Sequence, residues 1–224
     1  MITRPEPGAG ETAARLLAAG LHPVVAPFLA IHRRAATLPV AGVQAVLAAS
    51  GNAVAALPAA LHGVRLLTVG DATAARAMQA GFVAVRSAAG DASDLAALAA
   101  AQLDPADGPL LLAVGQGQGG ALAAALRQSG FCVHRRVVYT ASAVARFPAA
   151  AAAAIEGGLR AAMFFSAETA RAFARLLPPA LLPALAGADA LAIGAAAAAA
   201  VGHLPWRAVR VAVRPTQDGV LALL

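Results

Sequence analysis

The side chains best suited to chemistry in this chain are a few hydroxyls that directly follow short apolar runs. Ser50 follows AVLAA, Thr73 lies in VGDATA after RLLT, and Ser166 follows AAMFF; each opens an Ala-rich stretch of helical character. A hydroxyl at such a point caps the helix or binds an anion or carbonyl beside the unsatisfied amides of the first turn. Neither serine sits in a G-x-S-x-G elbow, so a nucleophilic role has no support. Gly70, Gly194 and the run GQGQGG (residues 115–120) form further turns of the same kind, which offer backbone amides to a ligand. GQGQGG also satisfies a dinucleotide glycine pattern. The acid that should follow about 20 residues later to hold a ribose is missing, because Tyr139 and Thr140 stand there and the next acid is Glu156. A tight strand-to-helix turn is the reading that remains. Tyr139 is the only tyrosine. Two roles fit it: a linker residue that packs its ring and hydrates its hydroxyl, or a weak acid reaching toward a ligand.

Metal and disulfide chemistry are not expected. The five histidines are scattered without metal-ligand spacing, and Cys132, the only cysteine, follows Phe131 in an apolar context that predicts a buried small hydrophobe. The formal charge is +6, and all 17 basic residues are arginine. Arginine suits bidentate contacts to carboxylates or phosphates, although the same bias follows from an Ala- and Gly-rich composition in which arginine replaces lysine. Aromatic residues are only 4% of the chain and do not interleave with a basic run, so nucleic acid is not an expected partner. Hydrophobic residues reach 60%, but much of this is alanine, and prolines interrupt the least charged stretch, residues 176–206. No membrane span is expected. The start MITRPEPGAGE has no charged-then-apolar leader, which predicts a cytoplasmic protein.

The elements that must position these residues alternate regularly. Strand-then-helix pairs are expected at 45–61, 65–80 and 110–129, and again from MFFS into 167–177 and from ALAIG into 195–202. A first helix over 11–19 should stop at Gly20, and Asp91 or Ser93 should cap a helix running to 103. Such alternation predicts an α/β fold with parallel sheets, whose right-handed crossovers bring the turns to one edge. Two extended segments, residues 22–34 and 131–141, bracket the middle of the chain. If they pair, they join two open-sheet lobes with a cleft between them. One lobe would be discontinuous, 1–31 and 143–224, the other would be 36–137, and 32–35 with 138–142 would form the linker.

Several segments together carry a family resemblance: TRPEP (3–7), ASGNAV (49–54), VGDATA (69–74), VVYTA (137–141), FFSAETARAF (164–173), ALAIG (190–194) and RPTQDGVLALL (214–224). In order and spacing the chain resembles the uroporphyrinogen-III synthase family over essentially its whole length. That resemblance implies two α/β lobes on a two-stranded linker and a cofactor-free lyase, acting as a monomer. The enzyme would close hydroxymethylbilane, handed on by hydroxymethylbilane synthase, into uroporphyrinogen III with inversion of ring D. It implies Tyr139 as the catalytic weak acid, and Thr3, Ser50, Asn52, Gly70, Thr73, Ser166 and Gly194 as contacts to substrate carboxylates. Arg4 either steers substrate or orders the first loop. The chain departs from the family pattern at Ala49, where threonine is usual, at Val114, where arginine is common, and at Ala195, Ala196 and Ala197, which replace a hydroxyl-rich turn. A non-catalytic ligand-binding module of the same fold is the alternative. Such modules in transcription regulators carry a DNA-binding domain, which is not seen in the sequence up to Leu224.

Overall fold

The computed structural model describes all residues, 1–224. The chain divides into two compact units, Met1–Ala30 with Ser142–Leu224, and Ile31–Ala141. No helix is long and apolar enough to cross a membrane.

In the Ile31–Ala141 unit, strand β1 (Leu29–Arg33) enters and is followed by β2 (Ala45–Ala48), α2 (Gly51–Ala55), β3 (Arg65–Thr68), α3 (Asp71–Gln79) and β4 (Val85–Ser87). Then come α4 (Ala92–Gln102), β5 (Leu110–Gly115), α5 (Gly120–Gln128) and β6 (Val133–Ala143). The sheet order is β1-β6-β5-β2-β3-β4, and the four pairings from β6 through β4 are all parallel. Side chains alternate across it. Val46 and Ala48 of β2, with Leu111 and Ala113 of β5, pack toward Val54 of α2 and Ala77 of α3. Ala45, Leu47, Leu110, Leu112 and Val114 pack toward Leu95 of α4 and Leu122 and Leu126 of α5. Both faces are therefore covered, which is why β2 and β5 are continuous apolar runs and not alternating ones. α2 ends after one turn, ahead of Pro58, because proline disfavours helical geometry in the residue before it. Asp91, not Ser93, caps α4, and it does so in a reciprocal capping box with Asp94.

The other unit begins with Ile2, which forms parallel bridges to Val25 and Met163, followed by α1 (Gly8–Ala18) and its stop at Gly20, where φ is +74°. After the chain returns, α6 (Ala149–Glu156), β7 (Ala161–Phe164), α7 (Ala167–Leu176), β8 (Asp189–Ala192), α8 (Ala195–Val201), β9 (Ala208–Val211) and α9 (Gln217–Leu221) complete it. The sheet β7-β8-β9 is parallel, and Ile2 extends it. One face buries Ile2, Leu16, Met163, Leu191 and Val220. An aromatic cluster packs elsewhere in the unit: Phe173 meets Phe28, Phe147, Phe164 and Trp206 at centroid distances of 5.1 to 5.7 Å. Cys132 is exposed, contrary to the buried position its apolar neighbours suggested, because Phe131 and Val133 on either side take the inward positions. α6 has no counterpart among the expected elements; its polyalanine sequence has no periodicity, and Ala151 and Ile155 alone anchor it.

Asp189 opens β8 at the sheet edge opposite the turns, buried beside Arg207 (2.7 Å) and Arg210 (3.0 Å). The hydrogen bond from Arg207 is the main cause holding its carboxyl below the usual aspartate value; both cations add to this against the opposing effect of desolvation. A depressed carboxylate pKa contributes stability that is present above the unfolded value and is lost as pH falls through the folded one. Asp189→Asn should therefore lower the melting temperature at neutral pH, and the gap to wild type should narrow as pH drops below the ordinary carboxylate range. A gap that stays constant across the titration would show that the ion pair contributes nothing.

Candidate functional site

In an open parallel sheet the carboxyl ends of the strands face the usual ligand position. In the Ile31–Ala141 unit this edge is built by the ends of β2, β3 and β5, with β6 running alongside. Ser50 ends the β2 run in extended geometry, and its Oγ accepts the Ala53 amide at 3.2 Å, capping α2. Its Oγ also lies 3.1 Å from the Tyr139 hydroxyl, which in turn donates to Gln118 Oε1 at 3.2 Å. With the Tyr139 proton directed at Gln118, the serine proton points at Tyr139. Donation then runs in one sense from the Ala53 amide through Ser50 and Tyr139 to Gln118, an arrangement in which each bond polarises the next.

Tyr139 is 4% exposed, and its ring lies over Gly115. A Cβ at position 115 would stand 2.7 Å from the ring Cζ and 2.9 Å from the hydroxyl, so only glycine fits. The register between β5 and β6 shifts here: Val114 pairs with Val137, but Gly115 pairs with Tyr139. That bulge turns consecutive residues Val138 and Tyr139 into the same core cluster. The GQGQGG turn follows, with Gly117 (φ +76°) and Gly119 (φ +74°) in the left-handed region, and it leaves Gln118 exposed at the end of the hydrogen-bond chain. Arg76 of α3 lays its guanidinium against Gly51 so closely that a Cβ there would overlap it. A full positive charge thus adjoins the first amides of α2. Asn52 and Thr73 lie half-buried at the starts of α2 and α3, where Gly70 caps α3 through its backbone alone.

In the other unit, Ser166 Oγ accepts the Thr169 amide at 3.1 Å and meets the Thr169 hydroxyl at 2.8 Å, capping α7. Gly194 leads into α8 without a side-chain cap. Thr3 is fully buried, and its hydroxyl donates to the Met163 carbonyl. Arg4 stacks over Phe165 at 4.6 Å, donates to Gln217 Oε1 at 3.3 Å and packs against Gly8. It ties the first loop to the turn after β7 and to α9. The structure thus brings together Ser50 and Tyr139 from the expected set, adds Gly115, Gln118 and Arg76, and keeps Thr3 inside the core. Only the glycine run around Gln118 was a usable signal for these additions, because the pairing of Gly115 with Tyr139 depends on a register shift that no local pattern encodes.

Two units built on parallel sheets, with hydroxyl- and glycine-bearing turns at the strand ends, place the chain in the class of open-sheet α/β proteins. The sequence model described as uroporphyrinogen-III synthase HemD matches residues 10–222, and the chain belongs to that family. It is accordingly an enzyme of heme biosynthesis that acts on a small-molecule substrate of the tetrapyrrole pathway. The fold is that of the uroporphyrinogen-III synthetase from Helicobacter pylori, which is 15% identical, with 88% of this chain and 89% of that chain covered at a TM-score of 0.60. A mutant uroporphyrinogen III synthase from Thermus thermophilus is 21% identical over 99% of this chain and 96% of that one, at a TM-score of 0.47. No curated protein matches.

Gly115→Ala tests the seating of Tyr139. Overpacking should cost about 1–3 kcal/mol in chemical denaturation and alter the near-ultraviolet circular dichroism of the single tyrosine. Unchanged stability and spectrum would mean that the ring does not lie against residue 115.

Proposed function

We propose that this chain is a cyclising lyase which closes hydroxymethylbilane into uroporphyrinogen III, with Tyr139 as the weak acid at the departing hydroxyl. The observation that carries the proposal for Tyr139 is the directional hydrogen-bond chain from Ser50 through Tyr139 to Gln118. Gln118 is exposed and flanked by glycines, so an incoming hydroxymethyl oxygen can take its place and receive the Tyr139 proton as a hydrogen bond. Ser50, held by the Ala53 amide, then supports the phenol from behind.

The reaction asks little of a nucleophile. The pyrrole nitrogen expels the hydroxyl as water to leave an azafulvene, and the substituted carbon of ring D attacks that carbon to give a spiro intermediate. Cleavage of the original link to ring D and reclosure at its other α-carbon, with loss of a proton, completes the inversion. The unassisted product is the symmetric isomer, so holding the bilane in the productive fold is the larger part of the task. In this reading the amides at Gly70 and Gly194, the hydroxyls of Thr73 and Ser166, the amide of Asn52 and the cation of Arg76 grip acetate and propionate groups. Arg4, held to Phe165 and Gln217, acts mainly by ordering the first loop, while Thr3 stays in the core and braces it through the Met163 carbonyl. The enzyme works as a cytoplasmic monomer supplied directly by hydroxymethylbilane synthase.

The test is the rate of hydroxymethylbilane consumption above the uncatalysed background. Wild type should accelerate it, and Tyr139→Phe should slow the enzymatic rate by on the order of 10- to 100-fold while folding normally, as expected for loss of a positioned acid. A Tyr139→Phe rate equal to wild type would remove the proposed role, and no acceleration by wild type would remove the activity.

A further inference from the structure

A groove of about 600 Å³ lies on the Ile31–Ala141 unit, where the segment after β1 faces the first half of β6. Arg34, Arg135 and Arg136 line it over an apolar bed that includes Leu38, Pro39 and Val137. None of the 11 acidic residues of the chain is among its lining residues. Two of the guanidinium groups are nonetheless oriented. Arg136 donates through Nε to the Thr37 carbonyl at 3.3 Å and through Nη1 to the Arg135 carbonyl at 3.2 Å; Arg135 donates through Nε to the Gln118 carbonyl at 2.8 Å. Neutral carbonyls fix a guanidinium without cancelling its charge, and they leave the other N–H groups of each fork for a ligand.

Cations held in place without counter-charge along a concave wall make a site for anions, and the planar fork of arginine matches a carboxylate in bidentate geometry. The apolar bed favours a ligand whose carboxylates are carried on a hydrocarbon or heteroaromatic body. The size suits a small organic molecule. We propose that this groove is a binding site for a polycarboxylate, distinct from the pair formed by Ser50 in its turn and Tyr139 on β6. The assignment rests on the groove itself and stands whether or not the cyclisation reading holds. Its chemistry is met by the carboxylate rim of a tetrapyrrole or by a free aliphatic polycarboxylate. Gln118 links it to the site above, because its backbone carbonyl holds Arg135 while its side chain holds Tyr139.

Equilibrium titration of the full chain at low ionic strength with two stable probes, uroporphyrin III and citrate, tests the site without any turnover. Wild type should bind at least one probe, and Arg34→Ala/Arg136→Ala should weaken that binding about tenfold or more, since charge-assisted hydrogen bonds are lost. The difference should shrink as salt is raised. Weakening confined to uroporphyrin assigns the groove to the tetrapyrrole rim, and weakening confined to citrate assigns it to a free polycarboxylate; either result supports the site. Arginine modification by phenylglyoxal on wild type guards against misfolding of the variant, with Arg34 and Arg136 expected to be protected by the bound probe. Undiminished binding in the double variant, no binding of either probe by wild type, or no protection of these arginines would overturn the proposal.

Discussion

A strand buried on both faces of a parallel sheet must be followed by a chain that climbs back over one of those faces, and here most of those returns are helices. The first amides of such a helix have no partner within it, and parallel pairing brings these amide groups to one edge of each sheet. In this chain that constraint repeats after β2, β3, β5, β7 and β8, and a helix follows the largely exposed β9 in the same way. The turns differ in what they add to the amides. Ser50, Ser166 and Thr216 supply a capping oxygen, whereas Gly70, Gly119 and Gly194 supply backbone only. Burial of the strands fixes where these groups lie, so the core and the ligand edge are set by the same apolar runs.

Tyr139 departs from that regularity. It lies on β6, beside the turns and not in one, and reaches the ligand edge because a bulge lets Gly115 and Tyr139 share a register position with no Cβ between them. Ser50 therefore does two things at once, capping α2 and donating toward the phenol. Helix capping and the seating of the phenol are joined through one hydroxyl. The guanidinium of Arg76 lies against Gly51 at the same turn, so α3 is packed onto the start of α2.

Much of this was legible in the sequence. Apolar runs ending in Ser, Thr or Gly before Ala-rich stretches predict the strand–turn–helix repeats, because a strand buried on both faces leaves a continuous signature and a capping hydroxyl leaves a local one. Ser50 and Tyr139 were identifiable by type and resemblance. Their contact was not, because it spans 89 residues and depends on the bulge at Gly115. Gln118 was hidden for the same reason, inside a glycine run that reads as turn alone. α6 leaves no sequence signature, because a polyalanine helix has no apolar period, and Cys132 faces outward in an apolar context because its two neighbours turn inward.

Directing bilane closure, and not merely binding a tetrapyrrole, is what separates a cyclising enzyme from a binding module of the same fold. Product isomer composition after brief incubation of freshly made hydroxymethylbilane with the wild-type chain tests this most directly. Predominantly isomer III, well above an enzyme-free control, is the predicted result; only the symmetric isomer I, in the amount the control gives, would contradict it.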